Sequence, residues 1–238
     1  MIRVAALAAF AVLAGCGGEE QGDGPVVFAA SSLGKVAPAI NPDAAVVTGG
    51  SNDLAAQIRD GAEADIFLSA SAKPLAELRA AGLVEAPVVF ASNRLVIIVP
   101  AENEARVTHV ADLARPGVKL VLGADGVPVG DYARESLDLA GLGAALDNVV
   151  SLENDVKGVV GKVALGEADA GIVYATDART AEDDVRSYGI SGHFQPDIRY
   201  YAAIVAPASE RAREYLDRLT GDEGQAALRG AGFLPVPP

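Results

Sequence analysis

Short apolar runs of strand length alternate with longer amphipathic runs from Val26 onward, and that order leaves few folds open. Val26 to Ala30 reads as a strand that stops at Ser31-Ser32, a helix-start signal. Ala44 to Thr48 is a second strand, ended by Gly49-Gly50-Ser51 and followed by Leu54, Ala55 and Ile58 at helical spacing. Asp65 to Ser69 is a third, after which Pro74 opens a helix that Gly82 closes. Strand-helix repetition of this kind builds parallel sheets covered by helices, the α/β class. Val88 to Ala91 and Leu95 to Val99 follow directly, then a further α/β set from Val118 to about Tyr188, a β-rich run from Asp197 to Pro207, and two amphipathic helices near 209–219 and 222–229. Two such sets predict two lobes, 25–94 plus 200–238 and 95–199, each a mostly parallel sheet flanked by helices.

The start of the chain has a different character. Arg3 precedes an apolar run too short to span a bilayer, and small residues lead to Cys16. This is the layout of a secretory signal, and Leu13-Ala14-Gly15-Cys16 resembles a bacterial lipobox. The expected arrangement is a lipoprotein signal peptide over 1–15 and a lipidated, flexible tether over 16–24, whose Gly, Glu, Gln and Asp residues cannot pack. Cys16 is the single cysteine, so with its thiol lipidated nothing remains for a disulfide, a thiolate metal ligand or a cysteine nucleophile. The chain is thus expected on the periplasmic or extracellular side, held to the membrane by that anchor alone.

Charge and motif narrow the function. A formal net charge of −13 argues against nucleic acid, whose phosphates demand basic patches. Enzyme signals are weak: His109 and His193 lie in polar loops, no spacing suits zinc, and no Gly-x-Ser-x-Gly elbow occurs. Gly161-Lys162 lacks the glycine and the hydroxyl of a phosphate loop, and Glu182-Asp183-Asp184 reads as solvated loop. No enzyme and no cofactor are expected.

What recurs is a strand that ends in small or polar residues opening a helix: Ala30-Ser31-Ser32-Leu33, Gly49-Gly50-Ser51-Asn52, Val127-Pro128-Val129-Gly130 and Asn154-Asp155-Val156-Lys157. A helix N-terminus carries free N–H groups and about half a positive charge, enough to hold an anion without a basic side chain. Taken singly each is an ordinary cap; in open α/β sheets, however, such ends gather at one crevice.

In their order, Phe28-Ala29-Ala30-Ser31-Ser32-Leu33, the segments 49–58 and 61–70, Val127 to Ala133 and Gly171 to Ala178 resemble the periplasmic molybdate-binding proteins of ABC importers. The resemblance implies a two-lobed periplasmic-binding-protein fold with a tetrahedral oxyanion in the interlobe cleft. It implies hydroxyl and backbone N–H donors from Ser32 and Ser51, backbone N–H from Val129 and Val156, and the phenol of Tyr174. It also implies molybdate or tungstate as ligand with no direct protein–metal bond, an ABC permease as partner, and a monomer. The bland alternatives are caps for the serines, helix packing for the valines and a core position for Tyr174. Three features depart from the family pattern. Pro38 and Pro42 shorten the first crossover, Asp53 and Asp131 stand near proposed contacts and must point outward, and the Val129 side chain is expected to narrow the pocket. Competing readings are a receptor for sulfate or another oxyanion, ferric ion held by Tyr200-Tyr201 (which strand alternation opposes), and a lipid-anchored hydrolase.

Overall fold

The computed structural model describes residues 24–236; the signal peptide, Cys16 and nearly all of the tether lie outside the described residues. Ten strands form two five-stranded sheets. The first sheet holds β1 (Val26–Ala30), β2 (Ala45–Gly49), β3 (Ile66–Ser69), β4 (Val88–Ser92) and, from late in the chain, β10 (Arg199–Ile204), in the order β2-β1-β3-β10-β4. The second holds β5 (Leu95–Pro100), β6 (Leu120–Gly123), β7 (Val149–Glu153), β8 (Ala170–Tyr174) and β9 (Val185–Gly189), in the order β7-β6-β8-β5-β9. Three strands of each sheet run parallel, β1 with β2 and β3, and β6 with β7 and β8. β10 and β5 are antiparallel to their neighbours, because these are the strands that carry the chain between lobes. The crossings fall at Asn93-Arg94 and between Gly189 and Arg199.

Helices α1 (Ala37–Ile40), α2 (Ser51–Arg59), α3 (Lys73–Ala80), α4 (Pro128–Leu139), α5 (Val156–Ala164), α6 (Ala175–Thr180), α7 (Glu210–Thr220) and α8 (Asp222–Gly230) cover the sheets. α1 is a single turn, as the two prolines of that crossover require. Alternation along the strands divides the first lobe's core in two. Phe28, Phe67 and Ala203 pack against Leu54 and Ile58 of α2 and Leu75 and Leu78 of α3. Val27, Ala29, Ile66, Leu68 and Ala202 belong to the other side, with Ile40, Tyr215, Leu219 and Leu228. Burial on both faces explains why these strands read as continuous apolar runs. The edge strands differ: β2 and β7 leave Val47, Val150 and Leu152 exposed.

One buried acid ties the first lobe together. Asp65, just before β3, accepts from Val26 N–H (2.8 Å), from the Ser209 hydroxyl (2.7 Å) and from Arg211 Nε (2.9 Å). Burial pushes its carboxyl up, but those donors outweigh it and hold the group below the usual carboxylate range.

Candidate functional site: an anion cradle between the lobes

The C-terminal ends of all six parallel strands open onto one small space between the sheets, the crevice expected of open α/β folds. Ser32, Ser51, Val129, Val156 and Tyr174 all line it. The structure therefore brings together every residue singled out for the pocket, from segments far apart in the chain.

From the first lobe come two hydroxyls. Ser51 is the first residue of α2 and is 1% exposed; its Oγ accepts from Ala70 N–H at 3.1 Å. It does not cap its helix, since Gly50 occupies the cap position. Its oxygen accepts that N–H, and its hydroxyl proton is free to be offered to the cavity. Ser32 sits in the short turn after β1, with its Oγ 3.0 Å from the Tyr200 hydroxyl.

The second lobe contributes mainly backbone. α4 begins at Pro128, which has no N–H, so Val129 is its first residue with one to give. α5 begins at Val156 and is capped by Asp155, whose Oδ1 accepts from Gly158 N–H at 2.9 Å. No side chain caps α4 or α2. Three helix N-termini thus converge with their first-turn N–H groups free of intrahelical partners. The Val129 side chain packs over Gly123 at the end of β6.

Tyr174, the last residue of β8, completes the lining. It is 1% exposed, and its hydroxyl has no hydrogen-bond partner among the described residues. Burial, with the neighbouring Tyr200, raises its phenol well above the ordinary value, so it stays an O–H donor. Tyr132 stacks edge-on against it from α4, with ring centroids 6.5 Å apart.

Among the described residues, no lysine or arginine lines the space. Asp53 and Asp131 do not line it either: Asp53 accepts from Asn52 Nδ2 (2.9 Å), while Asp131 accepts from Gly126 N–H (2.8 Å) and meets Lys73 across the cleft (3.3 Å). One acid does stand on the wall, and the sequence reading missed it. Asp155 corrects the expectation of a purely donor lining, although Oδ1 is committed to its cap.

The lobes are closed over this space. A Cβ on Gly50 would come 2.4 Å from the Asn154 carbonyl oxygen of the opposite lobe, so only glycine permits the approach. Beneath the cavity Tyr200 is fully buried, with Tyr174, Phe233 and Phe90 edge-on at centroid distances of 5.8, 5.2 and 6.2 Å. Tyr201 packs instead with the α2–α3 core on the other face of the sheet. The two tyrosines do not converge, and no cluster of three or more His, Cys, Asp or Glu side chains suited to a metal occurs among the described residues. His109 is exposed beside Asp112, and Lys162 of the Gly161-Lys162 pair lies on α5 and bonds Glu167.

Comparison with known proteins agrees with this architecture. Molybdate-binding protein ModA of Mycobacterium tuberculosis is 34% identical over 220 residues, covering 87% of this chain and 83% of that protein. The Azotobacter vinelandii periplasmic molybdate-binding protein superposes with a TM-score of 0.76 at 20% identity, covering 90% of this chain and all of that one. The sulfate-binding protein SubI of M. tuberculosis gives a TM-score of 0.75 at 20% identity over 90% of this chain and 88% of that one, so the fold by itself does not choose the anion. Residues 27–234 match the sequence profile of the bacterial extracellular solute-binding proteins, and the chain belongs to that family.

Proposed function

We propose that this chain is an exported receptor that captures molybdate in the interlobe cavity and delivers it to an ABC permease. The observation that carries this reading is the Tyr174 hydroxyl, buried without a partner in a space where three helix N-termini and two serine hydroxyls converge. An unsatisfied buried donor costs about 1–3 kcal/mol, a cost that an anion accepting its proton removes. The anion class follows from the donors, which serve a small oxyanion from several sides through fixed dipoles. The choice of molybdate rests on the 34% identical relative of that name. Tungstate has the same shape and charge, and the cavity is proposed to accept it as well.

Neutral donors suit capture followed by release, because no lysine or arginine has to be separated from the anion. Opening is assigned to the crossings at Asn93-Arg94 and 190–198, about which the lobes would hinge. Lipid on Cys16 would hold a monomeric receptor near its permease and raise its effective concentration there.

Sulfate is the second reading, favoured by the equal fold match to a sulfate-binding protein. Elemental analysis of the protein purified from cells grown with molybdate separates the two. About one molybdenum per chain is expected; protein free of molybdenum and tungsten, in which added sulfate nevertheless binds tightly, would replace molybdate with sulfate.

A further inference from the structure

Ser32 keeps its proton free for an anion if, in its 3.0 Å contact with the Tyr200 hydroxyl, it accepts rather than donates, and a buried chain at the lobe crossing sets that direction. Asn93, 5% exposed, accepts Arg94 N–H on Oδ1 at 2.9 Å. That bond fixes the amide, since a backbone N–H can only donate, and turns Nδ2 toward Thr176 Oγ1 (3.0 Å) and the Tyr200 hydroxyl (3.5 Å). An amide nitrogen accepts nothing, so the Tyr200 proton cannot go to Asn93. Ser32 Oγ, at 3.0 Å, is the acceptor in reach. Burial holds the Tyr200 phenol well above its ordinary value, so the proton is there to give.

We propose that Asn93 and Tyr200 are positioning residues that turn Ser32 into a donor before the anion arrives. Ser51 reaches the same state by a different route, its oxygen accepting from Ala70 N–H. Both serines of the first lobe then present protons to the cavity, and an anion pays little to reorient them. Thr176 extends the chain into the second lobe, receiving from Asn93 and donating to Asp177 Oδ2 at 3.4 Å. The network therefore runs through the crossing itself, which couples the serine's orientation to the arrangement of the two lobes.

This inference rests on the cavity being the anion site, and a double-mutant cycle separates the two claims. Affinity is measured calorimetrically for the wild type, Tyr200→Phe, Ser32→Ala and the double variant, with whichever of molybdate and sulfate the wild type binds. Phenylalanine keeps the ring contacts to Tyr174, Phe90 and Phe233. Ser32→Ala is expected to weaken binding about 10–100-fold and Tyr200→Phe about 3–10-fold, the range for hydrogen bonds to a charged acceptor and for a bond one step removed. In the Ser32→Ala background, Tyr200→Phe should change affinity less than about twofold, because its effect passes through Ser32. A merely structural tyrosine would cost the same in both backgrounds, and that result, or no loss on Tyr200→Phe alone, overturns the proposal. Insensitivity to Ser32→Ala in a protein that binds the anion also overturns it, since Ser32 would then touch no ligand. Should Tyr200→Phe not fold, Asn93→Ala goes through the same cycle, with its loss again confined to protein that carries Ser32. Binding of neither anion by the folded wild type removes the site reading and the relay together.

Discussion

The two lobes build their halves of the cavity from different materials. The first lobe uses serine hydroxyls held by protein groups, Ala70 N–H donating to Ser51 and the Tyr200 hydroxyl 3.0 Å from Ser32. The second uses the backbone of Val129 and Val156 at helix starts, plus one phenol. A hydroxyl can be deleted by substitution, whereas a backbone N–H survives nearly any substitution that keeps the helix. The halves should therefore respond very differently to mutation, although both line the same cavity.

The largest effect is expected at Ser51. Alanine there removes the proposed donor to the anion and also strips Ala70 N–H of its acceptor, so affinity should fall by about 1.5–3 kcal/mol, roughly 10–150-fold in calorimetric Kd. Tyr174→Phe comes next and has a distinctive sign. It should weaken binding by about 1–2 kcal/mol while the ligand-free protein melts no lower than wild type, because the hydroxyl has no partner to lose. A drop in both quantities would mean that the phenol serves the fold rather than the ligand. Val156→Ala is the smallest and completes the contrast. Melting temperature should fall, since the side chain is buried, while Kd stays within about twofold because the N–H remains. A large loss of affinity there would end the distinction between the halves.

Two buried acids extend the comparison to pH. In the first lobe Asp65 is held low by Ser209, Val26 N–H and Arg211 against the desolvation that raises it. In the second, burial pushes the Asp177 carboxyl from 3.8 up to about 7, with the Thr176 hydroxyl close by and Lys157 of α5 and its cap Asp155 contributing opposing charges at longer range. The signs are opposite. Asp65 contributes stability above the ordinary carboxylate range, lost as pH falls through its lowered value. Asp177 favours the folded state while neutral, and that contribution is lost as pH rises from about 4 through about 7. Thermal melts across pH should show Asp177→Asn removing a decline over that interval. The acid-side fall should persist in that variant and lessen in Asp65→Asn, which starts from a lower melting temperature at neutral pH.

Much of this was legible in the sequence because strand ends and helix starts carry local signals. Pro128 at the start of α4, Gly49-Gly50 before Ser51 and Asp155 before Val156 are read without tertiary information. The positions of Ser51, Val129 and Val156 follow from that punctuation. What sequence reading missed depends on contacts across the chain. Tyr200 drew notice only as the neighbour of Tyr201, yet its hydroxyl meets Ser32, 168 residues away. Asn93 sits between two apolar strands with nothing local to mark it, and its role depends on Thr176 and Tyr200. Asp155 was recognisable as a cap, but its place on the cavity wall comes from lobe closure. The outward turn of Asp53 and Asp131 likewise required the fold, since a first-turn acid can face either way until neighbouring elements are placed.

Central to the account is a closed cradle of fixed donors that takes a tetrahedral dianion and selects molybdate. Calorimetric titration of the ligand-free mature protein with molybdate, sulfate and phosphate tests that most directly. Saturable one-to-one binding of molybdate is predicted, with sulfate weaker and phosphate, which carries a proton near neutral pH, weakest. Absence of molybdate binding by a folded protein, or phosphate as the tightest ligand with the Asp155 carboxylate accepting its proton, would contradict it.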